Sequence, residues 1–255
     1  MAGLKQILRP ALDFVLPPRC PCCGEILPAD GGFCSECWQR LHFIAPPWCA
    51  SCALPLPYST DEALQCASCL AQAPQHDGIR AAVAYDDNSR MVALRLKYGG
   101  KIGLARMIAM QLVRHVPEDR QGLIITPVPL HWTRLWRRSF NQSALIAHEL
   151  ARLSGVEMWP ALLIRQRMTP SLRGLSVKER NKAVGTAFAI NPRHADRIKG
   201  ARIILVDDVL TTGATSDGCF KVLHKGGASW MQLFCWARVL RGNAADGASP
   251  VGLDA

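Results

Sequence analysis

No apolar run in this chain approaches the roughly 18 residues that a membrane-spanning helix needs, so stable membrane insertion is not expected. An export signal is missing too: Lys5 and Arg9 stand near the start, but Asp13 interrupts the apolar stretch and no small-residue cleavage site follows. A cytoplasmic protein is the expectation. Acidic residues are scarce, 20 against 30 Lys and Arg, for a net charge of +10. Beyond Cys69, cysteine is almost gone, with only Cys219 and Cys235 remaining. No internal repeat appears beyond paired cysteine clusters.

What is present falls into two unlike parts. Apolar residues make up 49% of 255 residues, which excludes a disordered chain and suits one medium domain plus a small one. Residues 1–76 hold 4 Lys/Arg and 6 Asp/Glu, a net of −2, while residues 77–255 hold 26 and 14, a net of +12. The basic part favours polyanions such as nucleic acid or phosphorylated metabolites; the plain alternative is a basic, soluble enzyme.

Nine of the 11 cysteines lie between Cys20 and Cys69. Cys20/Cys23 and Cys34/Cys37 form two C-x-x-C pairs, and Cys49/Cys52 and Cys66/Cys69 form two more. Two residues between thiols let a tight turn aim both sulfurs at one ion, and two such turns complete a tetrahedral shell of four thiolates, which suits zinc. Reduced thiols in a cytosolic chain favour metal over disulfides. Two structural zinc ribbons are expected. Gly24 follows the first knuckle, where the turn needs a residue tolerant of positive φ; Ala53 holds the equivalent place in the second ribbon and suits it less. Cys22 leaves an ambiguity, since it is able to replace Cys20 or Cys23. A closed shell has no open position, so no catalysis is assigned to the metal. Eight thiolates and two Zn²⁺ bring the module to −6, a poor surface for DNA but a plausible docking platform or brace.

The expected organisation is an amphipathic helix over 1–16, packed on the body through Leu4, Ile7, Leu8, Ala11 and Val15. The double ribbon over 17–75 comes next, with Gln72 to Asp77 as a linker. An α/β domain over 76–241 and a disordered tail over 242–255 complete the chain. Within the domain, Gly122 to Thr126, Ala161 to Ile164, Ala201 to Val206 and Ser229 to Arg238 read as strands. Asn141 to Leu153 and Ala214 to His224 read as helices. Alternating strands and helices imply a parallel sheet with helices on both faces.

Asp207 and Asp208 end the Ala201 to Val206 strand and lead into Thr211-Thr212-Gly213-Ala214-Thr215 and a helix. Ligands bind at the carboxyl ends of such strands. The backbone N–H groups of the run and the helix N-terminus suit a dianionic phosphate. Two carboxylates beside a phosphate site suit ribose hydroxyls, which donate to them. A pair of acids capping a helix would account for the aspartates but not for the Thr-Thr-Gly-x-Thr run. Farther back, His131 to Arg138 interleaves Trp132 and Trp136 with Arg134, Arg137 and Arg138. Basic residues neutralise phosphates and Trp stacks on unpaired bases, but the helical spacing of the two Trp fits core packing for at least one of them better.

The Val206 to Thr215 stretch resembles the phosphoribosyl-pyrophosphate (PRPP) signature of type I phosphoribosyltransferases. With the two ribbons, the chain resembles the ComF/GntX family of competence-associated proteins. Further matches are Leu96-Lys97-Tyr98-Gly99, Pro127-Val128-Pro129, Arg138-Ser139-Phe140-Asn141-Gln142 and Arg180-Asn181 with Ala187-Phe188. Together they span residues 15–240. The family usually has Gly at Ser139 and Gln at Leu172. The resemblance implies a type I phosphoribosyltransferase-like sheet behind the double ribbon, with PRPP held by Asp207, Asp208 and Thr211 to Thr215. It also implies Mg²⁺ on the pyrophosphate and a pyrophosphate loop at Pro127, Val128 and Pro129. A flap over 165–182, net +5, would carry Arg173, Lys178 and Arg180. The family's tie to natural competence and DNA uptake implies single-stranded DNA as a partner at Arg134, Trp136, Arg137 and Arg138, and a competence or helicase partner at the ribbon. Turnover of PRPP onto a nucleobase-like acceptor and PRPP sensing without turnover both stay open, because the sequence shows no acceptor site.

Overall fold

The computed structural model describes residues 17–29, 32–57, 64–166 and 187–240. The expected N-terminal helix and tail lie outside these residues. So do Leu172, Arg173, Lys178 and Arg180 of the expected flap.

In chain order, the ribbon contributes two short helices, α1 (Ser35–Gln39) and α2 (Ala67–Ala71). Then come β1 (Gly78–Ala84), α3 (Asp87–Tyr98), α4 (Leu104–Leu112), β2 (Leu123–Pro127), α5 (Trp132–Arg138), α6 (Gln142–Ser154) and β3 (Glu157–Met158). The chain continues through β4 (Leu163–Arg165), β5 (Phe188–Ile190), β6 (Arg202–Leu210), α7 (Ala214–Lys225) and β7 (Trp230–Arg238). Five strands form one sheet in the order β1-β7-β6-β2-β3, with every neighbouring pair parallel. The runs Leu123–Thr126 and Ile203–Val206 are continuously buried because helices cover both faces. On one face, Leu96 of α3, Ile108 and Leu112 of α4, and Ile146 and Leu150 of α6 pack with Ile125, Ile204 and Trp236. On the other, Phe220 and Leu223 of α7 pack with Ile203, Leu205 and Leu233. Each such side chain contributes roughly 1.5–3 kcal/mol on burial.

Three boundaries differ from the sequence reading. The expected Ala161–Ile164 strand appears as β4, which pairs antiparallel with β5 in a separate two-stranded sheet. β6 does not stop at Val206: its ladder with β7 runs on to Leu210, so Asp207 and Asp208 lie inside the strand and point to opposite sides. The expected linker is tied down at its end, since Asp77 N donates to Met231 O (2.7 Å) and Asp77 Oδ2 accepts from Met231 N (2.7 Å).

The ribbon extends the sheet edge. Phe43 bridges Val83 antiparallel, Ile44 N donates to Ala82 O (3.0 Å), and Ala84 N donates to His42 O (2.8 Å). Leu41 and Ile44, between the two ribbons, are buried against the α/β domain. The ribbon thus braces the otherwise open β1 edge.

Two turns need a left-handed residue. Gly24 adopts φ +86° and Ala53 φ +57°, as the equivalence of the two knuckles requires. Ser139 caps α5 at φ +63°, its N–H donating to Leu135 O (2.8 Å). Glycine, the residue that the resemblance led one to expect there, adopts that conformation without strain.

Candidate functional site

The structure gathers the eight expected cysteines into two sets of four: Cys20, Cys23, Cys34 and Cys37, and Cys49, Cys52, Cys66 and Cys69. Within each set all four sulfurs lie within 4.8 Å of one another. Cys23 and Cys34 Sγ are 3.6 Å apart, as are Cys52 and Cys66 Sγ. A tetrahedron with Zn–S near 2.3 Å has edges of about 3.8 Å, so both sets fit structural zinc. Backbone amides already point at the sulfurs, with Cys37 N 3.4 Å from Cys34 Sγ and Cys66 N 3.3 Å from Cys49 Sγ. Such bonds favour thiolate. Cys22 is settled by geometry: it lies outside the set, its thiol donates to Asn88 O at 3.7 Å, and burial pushes it up to about 12.

The second feature is a cleft at the carboxyl ends of β2 and β6. Thr211 to Ser216, Asp207, Asp208, Val128, Arg138, Gln142 and Lys97 line it. Gly213, at φ +83°, is the N-cap of α7, and no side chain caps that helix. Ala214 N makes a long bond to Thr212 Oγ1 (3.5 Å), and the helix dipole adds partial positive charge at this end. Val128 reaches the cleft wall because Val128 N pairs with Val206 O (2.9 Å) and Asn141 Nδ2 holds Val128 O (3.0 Å). Of the expected pyrophosphate loop, only Val128 lines the cleft.

The two aspartates have different surroundings. Asp207 is partly exposed, and its Oδ1 accepts from Ser143 Oγ (3.0 Å) and from Asp208 N (2.9 Å). Desolvation in the cleft, with the charge of Asp208 behind it, pushes Asp207 up to about 7. Asp208 is buried, and its Oδ2 lies 2.8 Å from the Lys97 ammonium, also buried. Burial alone would lower Lys97, but the Asp208 carboxylate outweighs it and raises the lysine. Sequence reading met Lys97 only as part of a motif. The signal was its place four residues after Ala93 on the buried face of α3, where a lysine requires a partner. Gln142, at the start of α6, was met only as the last residue of the Arg138 to Gln142 match, and Ser143 beside it went unnoticed because nothing local marks it.

The α5 segment corrects one expectation. Neither Trp packs in the core: Trp132 is 65% exposed and Trp136 83%. The helix is short and stands at the rim, so its apolar side chains have no layer to enter. Arg138 stacks on the Tyr98 ring (5.0 Å), donates to Tyr98 Oη (2.8 Å), and lines the cleft. The side chains of Arg134 and Arg137 lie outside the described residues. Among the described residues, no helix is long and apolar enough to cross a membrane.

Fold and sites together define a double ribbon with two four-cysteine sets, braced against an α/β domain built on a five-stranded parallel sheet. Residues 11–70 match the double zinc ribbon domain family. The chain is 31% identical over 223 residues to competence protein F of Haemophilus influenzae, covering 85% of this chain and 95% of the relative. It is 29% identical over 215 residues to the DNA utilization protein YhgH of Escherichia coli K12, covering 82% and 91%. Among solved structures, glutamine PRPP amidotransferase of B. subtilis is similar over 56% of this chain and 30% of that one, with 16% identity and a TM-score of 0.38. The chain belongs to the competence protein F (ComF) family.

Proposed function

We propose that this protein binds PRPP in the cleft at the end of β6 and supports DNA uptake by handling single-stranded DNA. The observation that carries the reading is the junction of a partly exposed carboxylate with a phosphate-accepting loop: Asp207 stands beside Thr211 to Thr215 over the uncapped start of α7. In this reading the amides of Thr211, Thr212, Gly213, Ala214 and Thr215 take the 5-phosphate, and the carboxylate takes a ribose hydroxyl. Mg²⁺ would arrive with the pyrophosphate and neutralise its charge. Pro127 to Pro129 serves as the pyrophosphate loop, with Val128 its member in the cleft wall, and Arg173, Lys178 and Arg180 supply positive charge for the pyrophosphate.

The DNA arm is supported by relatives whose names carry competence and DNA utilization, and by the exposed indoles of Trp132 and Trp136 beside a domain of net charge +12. Bases stack on such rings and phosphates take the arginines. The ribbon, at −6 with zinc, is then the brace and the seat for a competence or helicase partner.

Calorimetry with PRPP and Mg²⁺, run beside a pyrophosphate-release assay over a panel of bases, tests the cleft. Binding without release supports a PRPP-binding protein. Release with one base supports transfer of ribose 5-phosphate to that acceptor, and absence of binding overturns the reading.

A further inference from the structure

A second groove, of about 540 Å³, lies at the other end of the sheet, among the turns that lead into β2, β3 and β6. β6 runs nine residues, which at about 3.3 Å each puts the groove on the order of 25 Å from the cleft. Arg120, Arg197, Lys199, Glu157 and Trp159 line it. Three cations thus share the groove with one carboxylate, and that carboxylate is weakly engaged: Arg197 Nη2 is 3.6 Å from Glu157 Oε1, with side chains 58% and 62% exposed. Trp159 is the buried member, 5% exposed. Its backbone is fixed, Trp159 N donating to Ile125 O (2.9 Å) and Trp159 O accepting from Thr126 Oγ1 (3.0 Å). The ring stacks on His194 (5.2 Å) and carries the Arg197 guanidinium 4.3 Å from its centre. Its Nε1–H is nevertheless buried with no acceptor among the described residues. Buried donors are almost always paired, so one held unpaired beside a cationic groove points to an acceptor from outside the chain.

The cations also offset the carboxyl ends of two helices. α6 ends at Ser154 beside the groove, and the turn after α7 meets it where Gly200 N donates to Gly227 O (2.8 Å). Dipole compensation accounts for the charge but leaves the indole N–H without a partner. Because those helix ends oppose an anion, side chains must hold it. We propose that the groove is a separate phosphate-binding site, in which Arg120, Arg197 and Lys199 supply the charge and the Trp159 indole donates to a phosphate oxygen. Cation–π contact parks Arg197 on the ring; turning its exposed guanidinium to the phosphate uncovers the indole, so one movement frees both donors. The volume suits a mononucleotide, and an open groove also admits one phosphate of a nucleic acid strand. The phosphate is the chemistry they share. Nothing in this site depends on PRPP binding in the cleft.

The test is an NMR titration of the full, isotope-labelled chain. It has seven tryptophans, and the Trp159 indole N–H signal is identified by its loss in Trp159→Phe and by its through-space contacts to His194. Inorganic phosphate, a nucleoside monophosphate and a short single-stranded oligonucleotide are added separately. Phosphate entering the cleft leaves this signal in place, because the cleft lies at the far end of the sheet. A saturable downfield shift with at least one of the three is expected. Arg197→Gln/Lys199→Gln should weaken that binding about tenfold or more, since two charge-assisted contacts are lost. Both side chains are exposed, so the melting point should hold; Arg120→Gln alone should shift the affinity in the same direction. Tightest binding by the monophosphate marks a nucleotide site, by the oligonucleotide a contact for the strand backbone, and by inorganic phosphate a site for the bare anion. A Trp159 signal that none of the three moves overturns the proposal, as does binding that the charge variants leave unchanged.

Discussion

Removing zinc should weaken the α/β domain as well as the ribbon, and the docking contacts set the size of the effect. The ribbon contributes two backbone hydrogen bonds to β1, Ile44 N to Ala82 O and His42 O from Ala84 N. It also buries Ile44 and Leu41 to 2% and 5% exposure. Two hydrogen bonds at about 1 kcal/mol each and two aliphatic side chains at about 1.5–3 kcal/mol each come to on the order of 5–8 kcal/mol. That is an upper value, since an apo ribbon keeps part of the burial. For a domain of this size each kcal/mol moves the melting point by about 2–4 °C, so chelation should lower it by on the order of 10 °C or more. Leu41 and Ile44 sit between the two metal sites, so losing either ion loosens both. Scanning calorimetry before and after chelation, with metal content read in parallel, measures the effect. Wild-type protein purified without added zinc should carry two ions per chain, and Cys34→Ser should melt like the chelated form. If both ions leave and the main transition stays where it was, the ribbon is an appended module and the brace argument fails.

Ser139→Gly should raise the melting point by about 1–4 °C. The left-handed backbone costs serine roughly 1–2 kcal/mol, while glycine loses roughly 0.5–1 kcal/mol to unfolded-chain entropy; no rise would mean that Ser139 carries no strain. Cys22→Ser should leave the zinc content at two per chain by metal analysis, because Cys22 stands outside both sets. Trp136→Ala should cost single-stranded DNA about 1–3 kcal/mol of affinity with no change in melting point, since the ring is 83% exposed; lost stability with unchanged DNA binding would reverse the assignment. Asp207 carries a pH signature. Its carboxyl is held near 7 in the fold against 3.8 unfolded, so the folded protein binds that proton more tightly. The resulting stability is present below about 3.8 and is lost as pH rises through about 7. Denaturant midpoints should therefore show Asp207→Asn gaining on wild type between about pH 3.8 and 7 and keeping a constant lead above that, while wild-type affinity for PRPP rises up to about pH 7. A difference constant across pH would exclude titration of Asp207.

Features whose chemistry is written in local spacing were legible without coordinates. Four C-x-x-C pairs led to two metal sites because two residues between thiols leave little freedom in where the sulfurs point. The run from Ala201 to Val206 read as a buried parallel strand, which β6 is, and the Thr-Thr-Gly-x-Thr run, read as a phosphate loop, takes the place between that strand and α7 which such a loop would need. Even the strained turns were foreshadowed, Ala53 by its equivalence to Gly24. Properties that depend on what lies across the sheet were decided only by the tertiary structure. Nothing near Asp208 in sequence says that Lys97, more than a hundred positions earlier, neutralises it, or that Ser143 holds Asp207. Helical spacing made at least one of Trp132 and Trp136 look like core, because periodicity describes one helix and is blind to whether anything packs against it. The different surroundings of two adjacent aspartates follow from the alternation of β6 and from which helix covers each face, and that is a matter of packing in three dimensions.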